Sequence, residues 1–452
     1  YSHGPLLGFI AAWANWISLV TLVPMEAVAA VQYMSSWPWS WANWTKNFIK
    51  NGDITFEGIG VVFIFMLIFT MINFWSVKIM MHFTNLISIF KILLPTLTIV
   101  TLICSGFHEH NFGTNIHEFM PYGSRSIFEA TSVSGIIMSY DAFQTIINMG
   151  GELKNPRKNI VRGVLISMLI TAAIYIMLQV TFIGAVEPSM LAKVGWHGID
   201  FTSPFADLAI LMGINWLVIL LYLDAFVSPF GTGVAFVATA SRALAAMTHT
   251  RHLPKWLGRI NQKYMIPRYA MATDLILAVI LVSLFRNWNL LATVITASTL
   301  IAYLTGPVTV MTLRKIRPDL DRPFKPRYMP WLAPIAFVLT SLAIYWSMWP
   351  TTIQVILVIA LGLPIYFYYE IHYQHSDLKE QLQNCWWMIG YLIFMSFMSY
   401  IGSNGFGGQN WIKYPFDFVV IIVVSLLFYY WGVKSGRDQL DPYAEHIVQN
   451  KK

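Results

Sequence analysis

The chain of 452 residues is 56% hydrophobic and only 11% charged, with a mean hydropathy of +0.58. A soluble globular chain carries about 25% charged residues, so a water-soluble enzyme, a disordered chain and a nucleic-acid-binding protein are excluded. The net charge of +7 is explained instead by where the basic residues fall along the chain.

A helix that crosses the hydrocarbon layer needs about 20 mainly apolar residues. In chain order such runs are predicted at 5–34, 58–76, 83–105, 127–149, 161–186, 208–240, 268–286, 290–312, 331–349, 352–371, 386–402 and 415–433, twelve in all. The first and sixth are long enough to tilt or protrude. Each run is continuously apolar rather than alternating with period two, which excludes a transmembrane β-barrel. The fold class is therefore an all-α polytopic membrane protein, and its 18 Trp suit two interfacial belts.

Of the 29 Lys and Arg, 22 fall on one set of alternating loops and six on the other, and Lys91 lies inside a run. Basic loops stay cytoplasmic. This predicts a multi-pass protein of the cell (inner) membrane with both ends of the chain in the cytoplasm, so the positive charge reports topology rather than an acidic partner. The sequon Asn43-Trp44-Thr45 falls outside, with nothing else to suggest a secretory pathway. The first residue is Tyr rather than Met and no leader precedes the first run, so the sequence reads as starting within a longer one.

Charged groups at membrane depth are costly and usually face a bundle interior or a cavity. Four are predicted there: Glu26 in the first run, Lys91 in the third, Asp141 in the fourth and Asp224 in the sixth. Snorkelling or pairing for packing alone is the competing reading, weakest for Asp224, which lies well inside its run. The fourth run is further diluted by Ser132, Ser134, Gly135, Ser139 and Gln144, with Gly150-Gly151 after it. Irregular backbone at this depth is tolerated only where it lines a cavity or is covered by protein, and broken helices are how many secondary transporters hold substrate. Pro229 with Gly231 and Gly233 predicts a bend or loosening in the sixth run.

Nothing in the sequence assembles a catalytic or cofactor site. It contains no phosphate loop, no His-Glu-x-x-His pair and no nucleophile elbow. His108, His110 and His117 share a solvated loop and read as surface rather than as metal ligands. Cys104 and Cys385 match neither a disulfide framework nor a metal spacing. A channel is disfavoured, because no pore loop or ring of like charges appears.

The fourth run and its exit resemble a known family. Ser139-Tyr140-Asp141-Ala142-Phe143-Gln144 followed by Gly151-Glu152-Leu153-Lys154-Asn155-Pro156-Arg157-Lys158 is similar to the sixth-helix signature of the amino acid–polyamine–organocation (APC) permeases. Asn73 to Lys78 with Lys91 to Pro95, Ala240 to Leu244 with Leu253-Pro254-Lys255, and Leu313 to Leu320 with Arg322-Pro323-Phe324 match further family segments in order. The last two runs, with 402–415 between them, resemble the fourteen-helix branch that includes aspartate–proton symporter-like permeases.

The resemblance implies a LeuT-like fold of two inverted five-helix repeats. The first run then corresponds to family helix 3, and family helices 1 and 2 have no counterpart in this sequence. It divides the chain into a transport core (1–371), two additional helices (372–433) and a cytoplasmic tail (434–452). It implies a secondary active amino acid transporter working by alternating access, proton-coupled symport first, with an exchanger or a transporter-like nutrient sensor as alternatives. Its partners would be a small amino acid, protons and the lipid bilayer, with no cofactor. The substrate site is expected at Ser139, Tyr140, Asp141, Ala142 and Phe143, with Ser228 and Thr296 on facing helices. Ala142 stands where the family usually has Gly at the break. Lys91 falls where family members place a lysine in place of a coupling sodium ion. Gln144 cannot titrate, which leaves Glu26 and Asp224 as further proton carriers.

Overall fold

The computed structural model describes residues 2–75, 77–133, 135–143, 155–264, 266–319, 322, 324–374 and 378–436. The helices that build its bundle are α1 (Pro5–Ser35), α2 (Phe56–Trp75), α3 (Val77–Ser105), α4 (Gly123–Val133), α5 (Ile136–Ser139), α6 (Pro156–Ala185), α7 (Pro204–Leu211) and α8 (Asn215–Met247). They continue as α9 (Arg268–Leu284), α10 (Trp288–Ile316), α11 (Met329–Tyr345), α12 (Thr351–Ala360), α13 (Gly362–Tyr369), α14 (Leu378–Ile401) and α15 (Phe416–Lys434). Each predicted run lies on helix over most of its described residues, with interruptions inside the fourth, sixth and tenth runs and short non-helical ends on some of the others. Among the described residues, eight helices are long and apolar enough to cross a membrane. The other runs are shorter, subdivided or more polar; α9 and α11 span 17 residues each.

Among the described residues, strand is confined to a two-stranded antiparallel hairpin, Ile49–Lys50 with Asp53–Ile54. It lies in the loop after α1, where the Arg286 side chain donates two hydrogen bonds to the Ile54 carbonyl, at 3.0 and 2.7 Å.

The centre of the bundle is α1. Its sequence is apolar around its whole circumference, the pattern of a helix with no solvent face, and it is buried nearly end to end against α8, α10 and α9. Lipid tails are as apolar as leucine, so helices in a membrane are joined by close packing and polar contacts rather than by the hydrophobic effect. Several such contacts surround α1 and its neighbours. Ser18 and Thr299 hydroxyls meet at 2.6 Å, the Trp16 indole N–H donates to Asp274 at 2.9 Å, and the Asn73 amide donates to the Val234 carbonyl at 2.7 Å.

Three runs are subdivided. The sixth predicted run, 208–240, is two helices, α7 and α8, parted at Gly213 with φ +73°. The expected loosening at Pro229 does not interrupt the helix, for α8 continues through it to Met247. The nearby glycines serve packing instead: a Cβ on Gly231 would lie 2.5 Å from Ile87 Cδ1, and one on Gly233 would lie 2.4 Å from Phe69 Cε2. The tenth run divides at Leu361 into α12 and α13.

The fourth run breaks where its composition is most polar. α4 stops at Val133, Gly135 takes φ +77°, α5 lasts one turn, and a 3-10 turn covers Asp141–Phe143. Among the described residues of this run the left-handed one is Gly135, and Ala142 sits in the 3-10 turn. A Cβ at Gly135 would also press to 3.1 Å of the Trp288 ring. Left-handed backbone costs a residue with a Cβ roughly 1–2 kcal/mol. Gly135→Ala is therefore expected to lower the melting temperature of the purified protein in detergent; an unchanged melting curve would refute the break at this residue.

The last two helices are fastened by a buried polar node. Asp417 is fully buried and accepts from the Tyr345 hydroxyl at 2.7 Å and from the Phe418 amide at 2.9 Å. The Ser403 amide in turn donates to Tyr345 Oη at 3.0 Å. A second node joins the loop after α8 to the turn after α13, where His252 Nε2 lies 2.7 Å from Glu370 and the Gln381 amide donates to the same carboxylate at 2.8 Å.

Candidate functional site

The end of the broken fourth run faces α1, α3, α6 and α8 across a cavity of about 260 Å³. Four of the predicted site residues line it: Glu26, Lys91, Ser139 and Asp141. They arrive from three separate stretches of sequence, α1, α3 and the α5 turn, so the fold brings together charges that are isolated in the chain.

Lys91 projects from α3 and donates to Thr232 Oγ1 on α8. The Thr232 hydroxyl in turn donates a hydrogen bond to the Ser228 carbonyl one turn back, at 2.9 Å. Glu26 shares the cavity, and both Glu26 and Asp224 act electrostatically on the Lys91 ammonium. An ammonium at this depth needs such partners, because an unpaired charge out of water is costly. The arrangement joins α3 to α8 through a group able to gain or lose one proton.

Asp141 is 6% exposed and makes two hydrogen bonds to one helix, accepting from Tyr303 at 2.7 Å and from Thr299 at 2.8 Å. Because Thr299 gives its proton to Asp141, the contact between Ser18 and Thr299 must run from Ser18 to Thr299. A polar chain therefore crosses from α1 through α10 to the broken run. The Tyr140 ring meets Tyr175 of α6 edge-on, with centroids 5.6 Å apart, and Phe143 lies 5.5 Å from Tyr303. Ser139 keeps its hydroxyl on the Ile136 carbonyl, at 2.7 Å.

The remaining predicted residues lie elsewhere. Asp224 and Ser228 line a second cavity between α1, α3, α6, α7 and α8. Thr296 is buried with its hydroxyl satisfied by Ala292 at 2.8 Å and lines neither cavity; its neighbours Thr299 and Tyr303, three and seven residues on, are the ones that reach the broken run. Gln144 lies outside the described residues.

Sequence reasoning missed Thr232, Tyr175, Thr299 and Tyr303, hydroxyl residues too ordinary in apolar helices to stand out. It also missed Asp274, 3% exposed in α9, with one oxygen on Trp16 and Oδ2 buried without a hydrogen-bond partner among the described residues.

A helical bundle in the membrane, with a broken helix and buried charges around a central cavity, is the architecture of a secondary transporter. The amino acid permease family matches residues 1–356, and the chain belongs to it, within the APC superfamily and with its LeuT-like fold. The chain is 48% identical over 436 residues to the glutamate/serine transporter AimA of Bacillus subtilis, covering 96% of this chain and 80% of that one. It is 32% identical to the aspartate-proton symporter of the same organism, over 96% of this chain and 83% of the relative. Identity to the branched-chain amino acid permease BcaP, also of B. subtilis, is 24% over 83% of this chain and 78% of the relative. The protein is a multi-pass membrane transporter for amino acids, acting by secondary active transport, and not an enzyme.

Proposed function

We propose that the chain is a proton-coupled symporter of the cell membrane for acidic and small polar amino acids, with both ends of the described chain in the cytoplasm. The single observation that carries the coupling is the Lys91–Thr232 bond between α3 and α8, made in the cavity that Glu26 and Asp141 also line. The substrate class follows the two relatives above 30% identity, one named for glutamate and serine and the other for aspartate and protons.

In this reading the backbone freed at 139–143 holds the α-carboxylate and α-amino groups of the substrate, aided by the dipole of the short helix. Ser139 and Asp141 stand at the cavity wall, Phe143 packs behind them, and Tyr140 closes over the substrate as a gate. Lys91, Glu26 and Asp224 carry the coupling proton. Protonated Lys91 bridges α3 to α8 in one conformation; deprotonation removes the bridge and lets the helices part. The transport core then spans 1–371, and α14 and α15 are an addition fastened through Tyr345 and Asp417.

The test is uptake by reconstituted protein of labelled glutamate, serine, aspartate and leucine, with and without an inward proton gradient. Accumulation of the first three, driven by the gradient, is the expected result. Accumulation that ignores the gradient would refute proton coupling, and preference for leucine would refute the substrate class. Tyr140→Ala is expected to raise the half-saturating substrate concentration and cut transport strongly while leaving the yield of folded protein near normal. Normal affinity and transport in that variant would place the site elsewhere.

A further inference from the structure

The second cavity, about 270 Å³, stands beside the substrate cavity but shares no lining residue with it. Its wall is mostly apolar, with Tyr33, Thr98, Asp224 and Ser228 as its polar groups. Asp224 Oδ1 is buried with no hydrogen-bond partner among the described residues. A carboxylate oxygen left in that state loses the full free energy of its hydration. It is tolerated where the group holds a proton of its own or faces a chamber that admits water.

Asp224, Ser228 and Thr232 follow one another at i, i+4 and i+8 on α8, which places them in a row on one face. The first two line the second cavity, and the third, in the substrate cavity, receives the Lys91 hydrogen bond. The row therefore crosses from one cavity to the other. Asp224 lies about 14 Å along α8 from its first residue at 1.5 Å per residue, and Thr232 about 12 Å deeper. The turn at 212–214 and α7 join the Asn215 end of α8 to the loop that the charge pattern places outside. Among the described residues, the charged and titratable groups around Asp224 are Lys91 from α3 and Tyr33 from α1, with Asp207 on α7 and Tyr222 on α8 facing Tyr33. From α6 the cavity receives only the apolar Leu178. With Lys91 already supplying positive charge, a metal cation is disfavoured beside Asp224 and a mobile proton is favoured.

We propose that this second cavity is the external proton-access chamber of the transporter, with Asp224 as the relay carboxyl that receives each proton and delivers it to Lys91. The proposal rests on the proton-coupled reading above. In the transfer the Asp224 O–H bond breaks and one N–H bond forms on the neutral Lys91 amine. Water in the chamber and the hydroxyls of Ser228 and Thr232 each accept one proton and release another, so a carboxylate and an ammonium are left.

The experiment uses the chain reconstituted in liposomes, with labelled glutamate as the probe and two readouts: initial rate under an inward proton gradient, and counterflow at equal pH. Asp224→Asn is expected to slow the gradient-driven initial rate by about tenfold or more, the scale of a lost proton-transfer group. The gradient-driven rate should fall more than counterflow at equal pH, because a relay carboxyl serves the arriving proton and not the exchange of bound substrate. An unchanged initial rate would overturn the proposal, as would an equal loss of counterflow, which a structural or substrate-binding role would give. A rate that depends on sodium in place of the proton gradient would assign the chamber to a metal cation and overturn it too.

Should Asp224→Asn fail to fold, Leu221→Cys, at a half-buried position of the chamber wall, serves in a background lacking the exposed Cys104 and the buried Cys385. A charged thiol reagent added from outside should modify it and slow gradient-driven uptake; absence of modification overturns the chamber. Failure of the underlying reading is told apart by Lys91→Met, which would then retain gradient-driven accumulation.

Discussion

Lys91→Met is expected to abolish accumulation driven by a proton gradient while exchange of internal for external substrate survives. Methionine keeps much of the length and volume of lysine but has no proton to give to Thr232, so the bridge from α3 to α8 is absent at every pH. A proton gradient moves a conformational equilibrium only through a difference in proton affinity between the two states, and one pKa unit of difference is worth about 1.4 kcal/mol. With no titrating group in the bridge, the part of that difference that Lys91 supplies is lost.

Lys91→Arg separates titration from charge. Arginine restores a cation near Glu26 and a donor toward Thr232, yet it stays protonated at every working pH. It should therefore fail in accumulation as the methionine variant does. A structural lysine would behave otherwise, with arginine near normal. Gradient-driven accumulation by Lys91→Arg at the parent level would end this role and leave Glu26 or Asp224 as the coupling carboxyl. Uptake at several external pH values, with the internal pH fixed, makes the distinction.

The helices were legible because a chain in lipid must satisfy its backbone hydrogen bonds within each segment, so a long apolar run has one available structure. The interruptions were legible only in part. The break in the fourth run showed as a dilution by Ser, Gly and Asp, but among its described residues the left-handed one is Gly135, seven residues before Ala142. Pro229 with its glycines read as a bend or loosening; the helix runs on through it, and the adjacent glycines admit Ile87 and Phe69. The charged members of the site, Glu26, Lys91 and Asp141, stood out against apolar neighbours. Their partners Thr232, Thr299 and Tyr303 did not, because a hydroxyl in an apolar helix commonly bonds back to its own backbone, as Thr296 does. Which hydroxyl turns outward to another helix is fixed by packing, which has no signature in the linear sequence. Asp274 shows the reverse error: six residues into α9 it resembles an end-of-span charge, and only the approach of Trp16 reveals it as interior.

Asp141→Asn is expected to reduce transport by an order of magnitude or more and to lower thermal stability by about 1–3 kcal/mol. The carboxylate accepts from both Tyr303 and Thr299, and an amide has only one oxygen with which to accept. If that oxygen keeps Tyr303, the amide nitrogen meets Thr299, whose hydroxyl must turn toward Ser18. Ser18 then loses the acceptor it has now, and an unsatisfied buried hydroxyl is passed to α1. If the oxygen keeps Thr299 instead, the unsatisfied donor is Tyr303. Either outcome loosens the mooring of the broken run on α10 and shifts the backbone at 139–143 that would meet the substrate. Thr299→Val removes the same link from its other end, so the two substitutions should couple. In a double-mutant cycle on melting in detergent, the pair should cost less than the sum of the singles by about 0.5–1.5 kcal/mol. Strict additivity would show that the Asp141–Thr299 bond contributes nothing to the fold. Normal transport by a fully stable Asp141→Asn protein would remove Asp141 from the site altogether.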